Sequence, residues 1–454
     1  MRRSFQIWSR TVVLSAVFLG FSVAAQAQSL QETLVRSYGN SPALEASRAQ
    51  ARATDEGIAQ ALSGYRPTVR ATGSIQNSRA SLEPFGLTII RQPKSLAVEA
   101  VQPLFAGGGT VSAVRQARAR SDAQRFRLQA TEQDVLLNAA TAHLDVVSNQ
   151  ALVDLANNNV EVLQRQLQAA RDRFEVGEIT RTDVAQAESR LSGAVANRIS
   201  AEGQLRVARA RYTRAVGEAP VRPLSGPFPF PLPTSLEEAL QTAEASNPDL
   251  LAAQSLERAA RAAIGVETAA LLPRLELQGS ASRSWEPQFG IRREDEARFL
   301  VVLTIPFYEA GLARSQVREA RQIASQTRFQ FDDAKRQVRA ETVAAWRDLE
   351  STQAQIVSRR AQVRAAEVAF EGVTQETQVG QRTTLDLLDA EQELFSARAN
   401  LVVAERNAQV SALNLLSATG QLTAARLKLD TPVYDPSAYT RRAAAKWFGT
   451  GIGP

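Results

Sequence analysis

The chain carries its own copy. Ser29-Leu30-Gln31-Glu32 recurs as Ser235-Leu236-Glu237-Glu238, and Pro42, Pro67 and Gly73-Ser74 recur as Pro248, Pro273 and Gly279-Ser280 without a gap. After a small deletion in a variable loop the match resumes. Pro103 pairs with Pro306, Gly108 with Gly311, Val176-Gly177 with Val379-Gly380, Asp183 with Asp386, Ala187-Glu188 with Ala390-Glu391, and Gly217 with Gly420. A duplication of this length makes each half one structural unit, so the chain is one motif repeated twice. The halves run over 28–219 and 235–420. Between them, residues 220–234 contain Pro220, Pro223, Pro227, Pro229, Pro231 and Pro233, a linker that neither helix nor sheet absorbs. Residues 421–454 form a C-terminal tail.

Each half changes period along its length. Residues 30–64 and 236–272 are Ala-rich and helix-favouring, with Asn40-Ser41-Pro42 and Ser246-Asn247-Pro248 marking an early break or helix start. Strict alternation follows: Leu275, Leu277, Gly279 and Ala281 interleave with polar residues, and Phe299, Val301, Leu303 and Ile305 form the face of a second strand. A weaker version covers Val69 to Asn77 and Ser95 to Gln102. The spacing predicts β-hairpins over 69–103 and 274–306, closed by loops containing Glu83-Pro84-Phe85-Gly86 and Glu286-Pro287-Gln288-Phe289-Gly290.

No proline then occurs from Pro103 to Pro220, or from Pro306 to Pro432. Such runs predict very long helices; one from Gly109 to Phe174 would extend roughly 100 Å. A rod of that length needs lateral partners. Val146, Val153, Val160, Leu167 and Phe174 recur at heptad spacing, as do Leu349, Ile356, Val363 and Phe370, which is what coiled-coil packing requires. Turns at Gly177 and Gly380 return the chain, making helical hairpins over 108–217 and 311–420. The expected fold class is mainly α with a small β part.

Composition removes most chemistry. There is no cysteine, so no thiolate site or disulfide exists, and one histidine, His143, which mid-helix reads as structural. No G-x-S-x-G or H-E-x-x-H motif is present, and Gly107-Gly108-Gly109 lacks the Lys-Ser/Thr of a phosphate loop. An enzyme, a metal site and a cofactor are not expected. Residues 1–27 have Arg2, Arg3 and Arg10, an apolar run of about ten residues and Ala25-Gln26-Ala27, the pattern of a cleaved signal peptide. Its removal lowers the net charge from +6 to about +3, and the remaining charges interleave along helices, so no nucleic-acid partner is expected.

The strands pose a closure problem. Each is long enough to cross a bilayer, but strands cross lipid only in closed barrels, because edge N–H and C=O groups cannot be left unpaired in hydrocarbon. Four strands cannot close. Two copies would supply about eight and three about twelve, and arithmetic does not choose between them.

At the joints and tips the chain resembles the TolC-type outer-membrane efflux and secretion channels, with a type I secretion flavour in Tyr434-Asp435-Pro436 and Lys446-Trp447-Phe448-Gly449. The motifs are Gln102-Pro103-Leu104-Phe105-Ala106-Gly107-Gly108, Ile305-Pro306-Phe307-Tyr308-Glu309-Ala310-Gly311, and Gly380-Gln381-Arg382-Thr383-Thr384-Leu385-Asp386-Leu387-Leu388-Asp389-Ala390. The resemblance implies a homotrimer with a shared transmembrane β-barrel in outer-membrane lipid, continued by a periplasmic α-helical barrel. It implies docking to an inner-membrane transporter and a periplasmic adaptor protein, and passive export of proteins or small molecules. It also implies that Pro103, Gly108, Pro306 and Gly311 form strand–helix joints and that Asp386 and Asp389 ring a periplasmic constriction. Arg382 would latch the tip against Thr182 and Asp183. Thr377 stands where the family pattern has a tyrosine, so the resemblance carries no second latch there.

Two other readings stand beside it. Thr180-Arg181-Thr182-Asp183 and Thr383-Thr384-Leu385-Asp386 fit the [ST]-x-x-[DE] helix-start signal, which accounts for Asp183 and competes for Asp386, but does not account for Asp389 one turn on. The rival function is a soluble periplasmic coiled-coil adaptor or scaffold.

Overall fold

The computed structural model describes residues 28–220, 224, 230–288 and 290–451; the expected signal peptide, Pro223, Pro227 and Pro229 of the linker, and Phe289 lie outside them. Two short helices, α1 (Leu30–Asn40) and α2 (Pro42–Leu62), open the first half. Ser41 explains the break: its side chain accepts from Leu44 N–H, and Pro42 sits in the first turn, where its missing N–H costs nothing. Strands β1 (Thr68–Ile75), β2 (Ser78–Leu82), β3 (Leu87–Arg91) and β4 (Lys94–Ala106) follow, then α3 (Gly109–Glu175) and α4 (Arg181–Val216). The second half gives α5 (Leu236–Ser246), α6 (Pro248–Thr268), β5 (Arg274–Gln288), β6 (Ile291–Thr304), α7 (Leu312–Gln378) and α8 (Thr384–Ala418), and the tail adds α9 (Pro436–Ala445).

One difference from the sequence reading lies in the first hairpin. Its loop is not a single turn: residues around Glu83-Pro84-Phe85-Gly86 close a separate two-stranded ribbon, β2 with β3, beyond the β1–β4 pair. Arg91 at the ribbon's base donates to Pro287 O at 3.1 Å and ties it to the second hairpin.

Helices α3 and α7 each run 67 residues, about 100 Å. Each folds back on its successor, α4 or α8, and α6 lies between α3 and α7. The heptad positions Val146, Val153, Val160 and Leu167 are buried while Phe174, at the end of the rod, is exposed. Alanine does much of the packing: Ala139, Ala140, Ala397 and Ala424 are fully buried, letting helix backbones approach closely. The broadest cluster lies midway along the rods, where α1 and residues 421–434 cover α3 and α4. At its centre Thr33 Oγ1 lies 2.8 Å from His143 Nδ1 and 3.2 Å from Tyr212 Oη, and Gln28 Nε2 donates to the same Tyr212 oxygen. His143 is fully buried, a structural position.

The tail climbs back along α2. Tyr434 N–H donates to Tyr38 Oη, and Arg125 and Asp55 both bond Thr440 of α9. Arg66, two residues before β1, stacks its guanidinium 4.7 Å from the Trp447 ring and donates to the carbonyls of Ala444 and Lys446.

Candidate functional site

Two regions carry chemistry that folding alone does not use: the sheet at one end and the helical tips at the other. The sheet has the order β1-β4-β5-β6, antiparallel throughout. Registered partners share a face. Val69, Ala71, Gly73 and Ile75 of β1 therefore lie with Leu96, Val98 and Ala100 of β4, with Leu275, Leu277, Gly279 and Ala281 of β5, and with Leu303, Val301, Phe299 and Ala297 of β6. That face is uncovered: Phe299 is 84% exposed, Ile75 78% and Val69 70%. Phe299 lies over Gly279, where a Cβ would come within 3.3 Å of its ring.

The opposite face holds Arg70 paired with Glu99, Ser74 bonded to Ser95, and Glu276, Gln278, Ser280, Ser282, Glu296 and Arg298. Covering the apolar face is the rule for a soluble sheet; this sheet leaves its apolar face open, while Val101, Leu300 and Val302 lie among the polar residues of the other face. Leu275 to Ala281, like Ala297 to Leu303, covers about 20 Å of strand. Beyond that band come charges: Asp295 accepts from its register partner Arg283 at 2.7 Å and from Arg293, which lies opposite Trp285, itself paired with Lys94. At its other end Phe307 and Tyr308 are 87% and 82% exposed.

Pro103, Gly108, Pro306 and Gly311 lie where the strands give way to the long helices. Pro103 lies in β4 opposite Glu276, at a shift in the strand register. Gly108 and Gly311 cap α3 and α7 at φ 77° and 81°, the left-handed region that glycine enters without a Cβ clash. Pro306 follows the end of β6. Among the described residues, no helix is long and apolar enough to cross a membrane and no group of His, Asp and Glu is arranged to hold a metal ion.

At the far end the two tips are near-copies. Gly177 and Gly380 take φ 82° and 77° and terminate α3 and α7, with Glu178 N–H and Gln381 N–H closing back on Arg173 O and Glu376 O. Each following helix opens with a capping box. Thr180 N–H and Oγ1 donate to Asp183 Oδ2, and Thr383 N–H and Oγ1 donate to Asp386 Oδ2. These bonds hold both carboxyls below the usual range, Asp183 chiefly through the Thr180 hydroxyl and Asp386 chiefly through the Thr383 N–H. Asp386 thus does within its own chain what a helix start needs.

Arg382 bonds Glu376 of its own hairpin at 2.9 Å, not Thr182 or Asp183. Thr182 is exposed. Asp389 has a different partner: its Oδ1 lies 2.5 Å from Arg190 Nη2 on α4, a bridge between the two hairpins. Leu388, one residue earlier, inserts among Val160, Leu163, Leu167, Ala170, Ala187 and Ala194 of the first hairpin and is 1% exposed. Sequence reasoning missed Arg190 and Leu388. The signal was present in the duplication: Asp389 matches Gln186, Arg190 matches Glu393, and Leu388 matches Ala185, so the seam uses positions where the copies differ.

Comparison with known proteins agrees with this geometry. A family profile described as outer membrane efflux protein matches residues 33–218 and 239–421. The outer membrane efflux protein BepC of Brucella suis biovar 1 (strain 1330) is 35% identical over 446 residues, 97% of this chain and 96% of BepC. The outer membrane protein TolC of Escherichia coli (strain K12) is 25% identical over 430 residues, 90% of this chain and 86% of TolC. A solved structure of CusC, described in terms of conformational changes accompanying folding and transmembrane channel formation, superimposes with a TM-score of 0.78 at 18% identity, over 86% of this chain and 92% of that one. A duplicated strand–helix unit, an inverted sheet and a matching profile over both halves converge: the chain belongs to the outer membrane efflux protein family.

Proposed function

We propose that three copies of the chain form one passive export conduit, a shared twelve-stranded barrel in the outer membrane continued by a helical tunnel across the periplasm. The observation that carries this reading is the sheet. Its outer face is apolar over about 20 Å, near the band height of outer-membrane barrels, and its inner face is polar, as a water-filled lumen requires. Within one chain β1 and β6 each keep an open edge. In hydrocarbon those N–H and C=O groups need partners, and β6 of one copy beside β1 of the next continues the same antiparallel alternation until the ring closes. A soluble adaptor, the rival expectation, has no use for an apolar face turned outward.

The tips form the periplasmic entrance. Three copies bring six helical hairpins together, and Asp386 and Asp389 contribute rings of carboxylates that draw cations into a narrow opening. Energy for opening comes from an inner-membrane pump and its adaptor docked at this end; no bond is made or broken by the chain itself. Arg382, freed from Glu376, has Thr182 and Asp183 of a neighbouring tip as partners in the closed state.

Conductance of the purified protein in planar bilayers tests the reading. Discrete cation-preferring channels from a heat-modifiable oligomer are expected, and Asp386→Ala with Asp389→Ala should reduce the cation preference. A monomer extracted from envelopes by carbonate would overturn the conduit, and unchanged selectivity would remove the rings.

A further inference from the structure

Above the tip, the repeat-related glutamates Glu188 and Glu391 have opposite surroundings. Glu188 is half-exposed and bonded to Arg171 of its own hairpin at 2.7 Å. The position matching Arg171 in the second half is Thr374, whose hydroxyl donates to Phe370 O instead. Deprived of that cation, Glu391 lies on the seam between α8 and α3, 6% exposed, with Oε2 buried and without a hydrogen-bond partner. It borders a cleft of about 340 Å³ lined by Asn159, Arg165 and Gln166 of α3, Phe370 of α7, and Leu394 and Arg398 of α8. The cations nearby have other partners. Arg165 reaches Glu161 at 3.9 Å, Arg398 bonds Glu367 of α7 at 2.7 Å, and Arg190 of α4 holds Asp389.

We propose that Glu391 is a proton-operated positioning residue of the tip seam: carrying its proton it lets α8 close on α3, and losing it drives the seam apart. The inference rests on the conduit reading above, because it assigns the α3–α8 seam to the moving part of the entrance. The physical ground is the cost of an unpaired carboxylate away from water, which the neutral acid avoids. Burial pushes the Glu391 carboxyl up to about 7, against the pull of Arg165. In an opened seam the group returns toward its ordinary value of 4.5. The closed seam therefore binds the proton more tightly. Its advantage is complete below the ordinary value, shrinks as pH rises through the interval, and is fully lost above about 7.

The chain has no cysteine, so a single introduced thiol reads the seam directly. Leu388→Cys places it where closure hides it, and Gln381→Cys in the exposed tip turn supplies the reference that cancels the thiol's own ionisation. In the full-length oligomer in lipid, normalised labelling at position 388 should rise with pH between about 4.5 and 7, by up to roughly tenfold per unit, and level off above. Glu391→Gln, a permanent stand-in for the neutral acid, should label slowly and flatly. Thr374→Arg restores the cation that Glu188 enjoys, and should shrink the rise and end it at lower pH. A flat wild-type profile, or the same rise in Glu391→Gln, overturns the proposal; if Glu391→Gln fails to assemble, an unshifted Thr374→Arg profile does so. Conductance of the same samples separates the two claims: channels that conduct with a pH-insensitive seam sink the latch alone, whereas absent channels sink the conduit.

Discussion

Removing the Arg190–Asp389 bridge should loosen the entrance without unfolding the chain. Only one nitrogen–oxygen contact is short, at 2.5 Å, and the two side chains are 39% and 57% exposed, so water screens the pair. Two unit charges about 4 Å apart in water attract by about 1 kcal/mol, and exposed pairs measured by double-mutant cycles give about 0.2–1 kcal/mol. Taking about 0.7 kcal/mol, Arg190→Ala shifts the seam of one chain roughly threefold toward open. If three seams open together, the factors multiply to roughly thirtyfold. The assay is open probability in planar bilayers for Arg190→Ala, Asp389→Ala and the double variant, at low and high salt. Each single variant should raise open probability, the double variant should add little, and the coupling should fade as salt shortens the screening length toward 3 Å at 1 M. The charge swap of Arg190→Asp with Asp389→Arg should restore closure. Additive single effects, or coupling indifferent to salt, would refute the bridge as a closing contact.

Phe299→Arg places a cation on the apolar face near mid-band, where outer-membrane barrels lose about 2–4 kcal/mol per such change. Less heat-modifiable oligomer in the outer-membrane fraction is expected, while Arg298→Ala on the polar face of the same strand leaves the yield near wild type. Thr383→Ala removes the capping hydroxyl at α8 and should cost about 1 kcal/mol locally, read as faster amide exchange in its first turn. Because Asp386 is held below its ordinary value, the box is intact at neutral pH and is lost only as pH falls through that lowered value, so exchange there accelerates only in strongly acidic buffer. Gly420→Ala forces a Cβ to within 2.2 Å of Ser246 O at φ 74° and should lower Tm markedly; an unchanged melt would show that the α8 terminus yields freely.

Much of the architecture could be read from punctuation. Proline is absent where α3 and α7 must be continuous and present where strands bend into helices, and the alternation of Leu275 to Ala281 sets apolar and polar residues on opposite faces of the sheet. The [ST]-x-x-[DE] signal marks both capping boxes, which are local and need nothing from the rest of the fold. The β2–β3 ribbon was hidden because Ser78–Leu82 and Leu87–Arg91 are short, and Leu87-Thr88-Ile89-Ile90-Arg91 does not alternate. The seam was hidden for a different reason. Arg190, Leu388 and Asp389 meet across nearly two hundred positions of sequence, and heptad spacing states only that a helix is packed, not against which neighbour.

The clasp of Arg66 on Ala444, Lys446 and Trp447 joins the end of α9 to the root of the first strand made. Synthesis runs from one end, so β1 emerges long before its anchor exists. A chain cut short by a nonsense codon after Ala418 would own every strand and both rods yet never fasten that root.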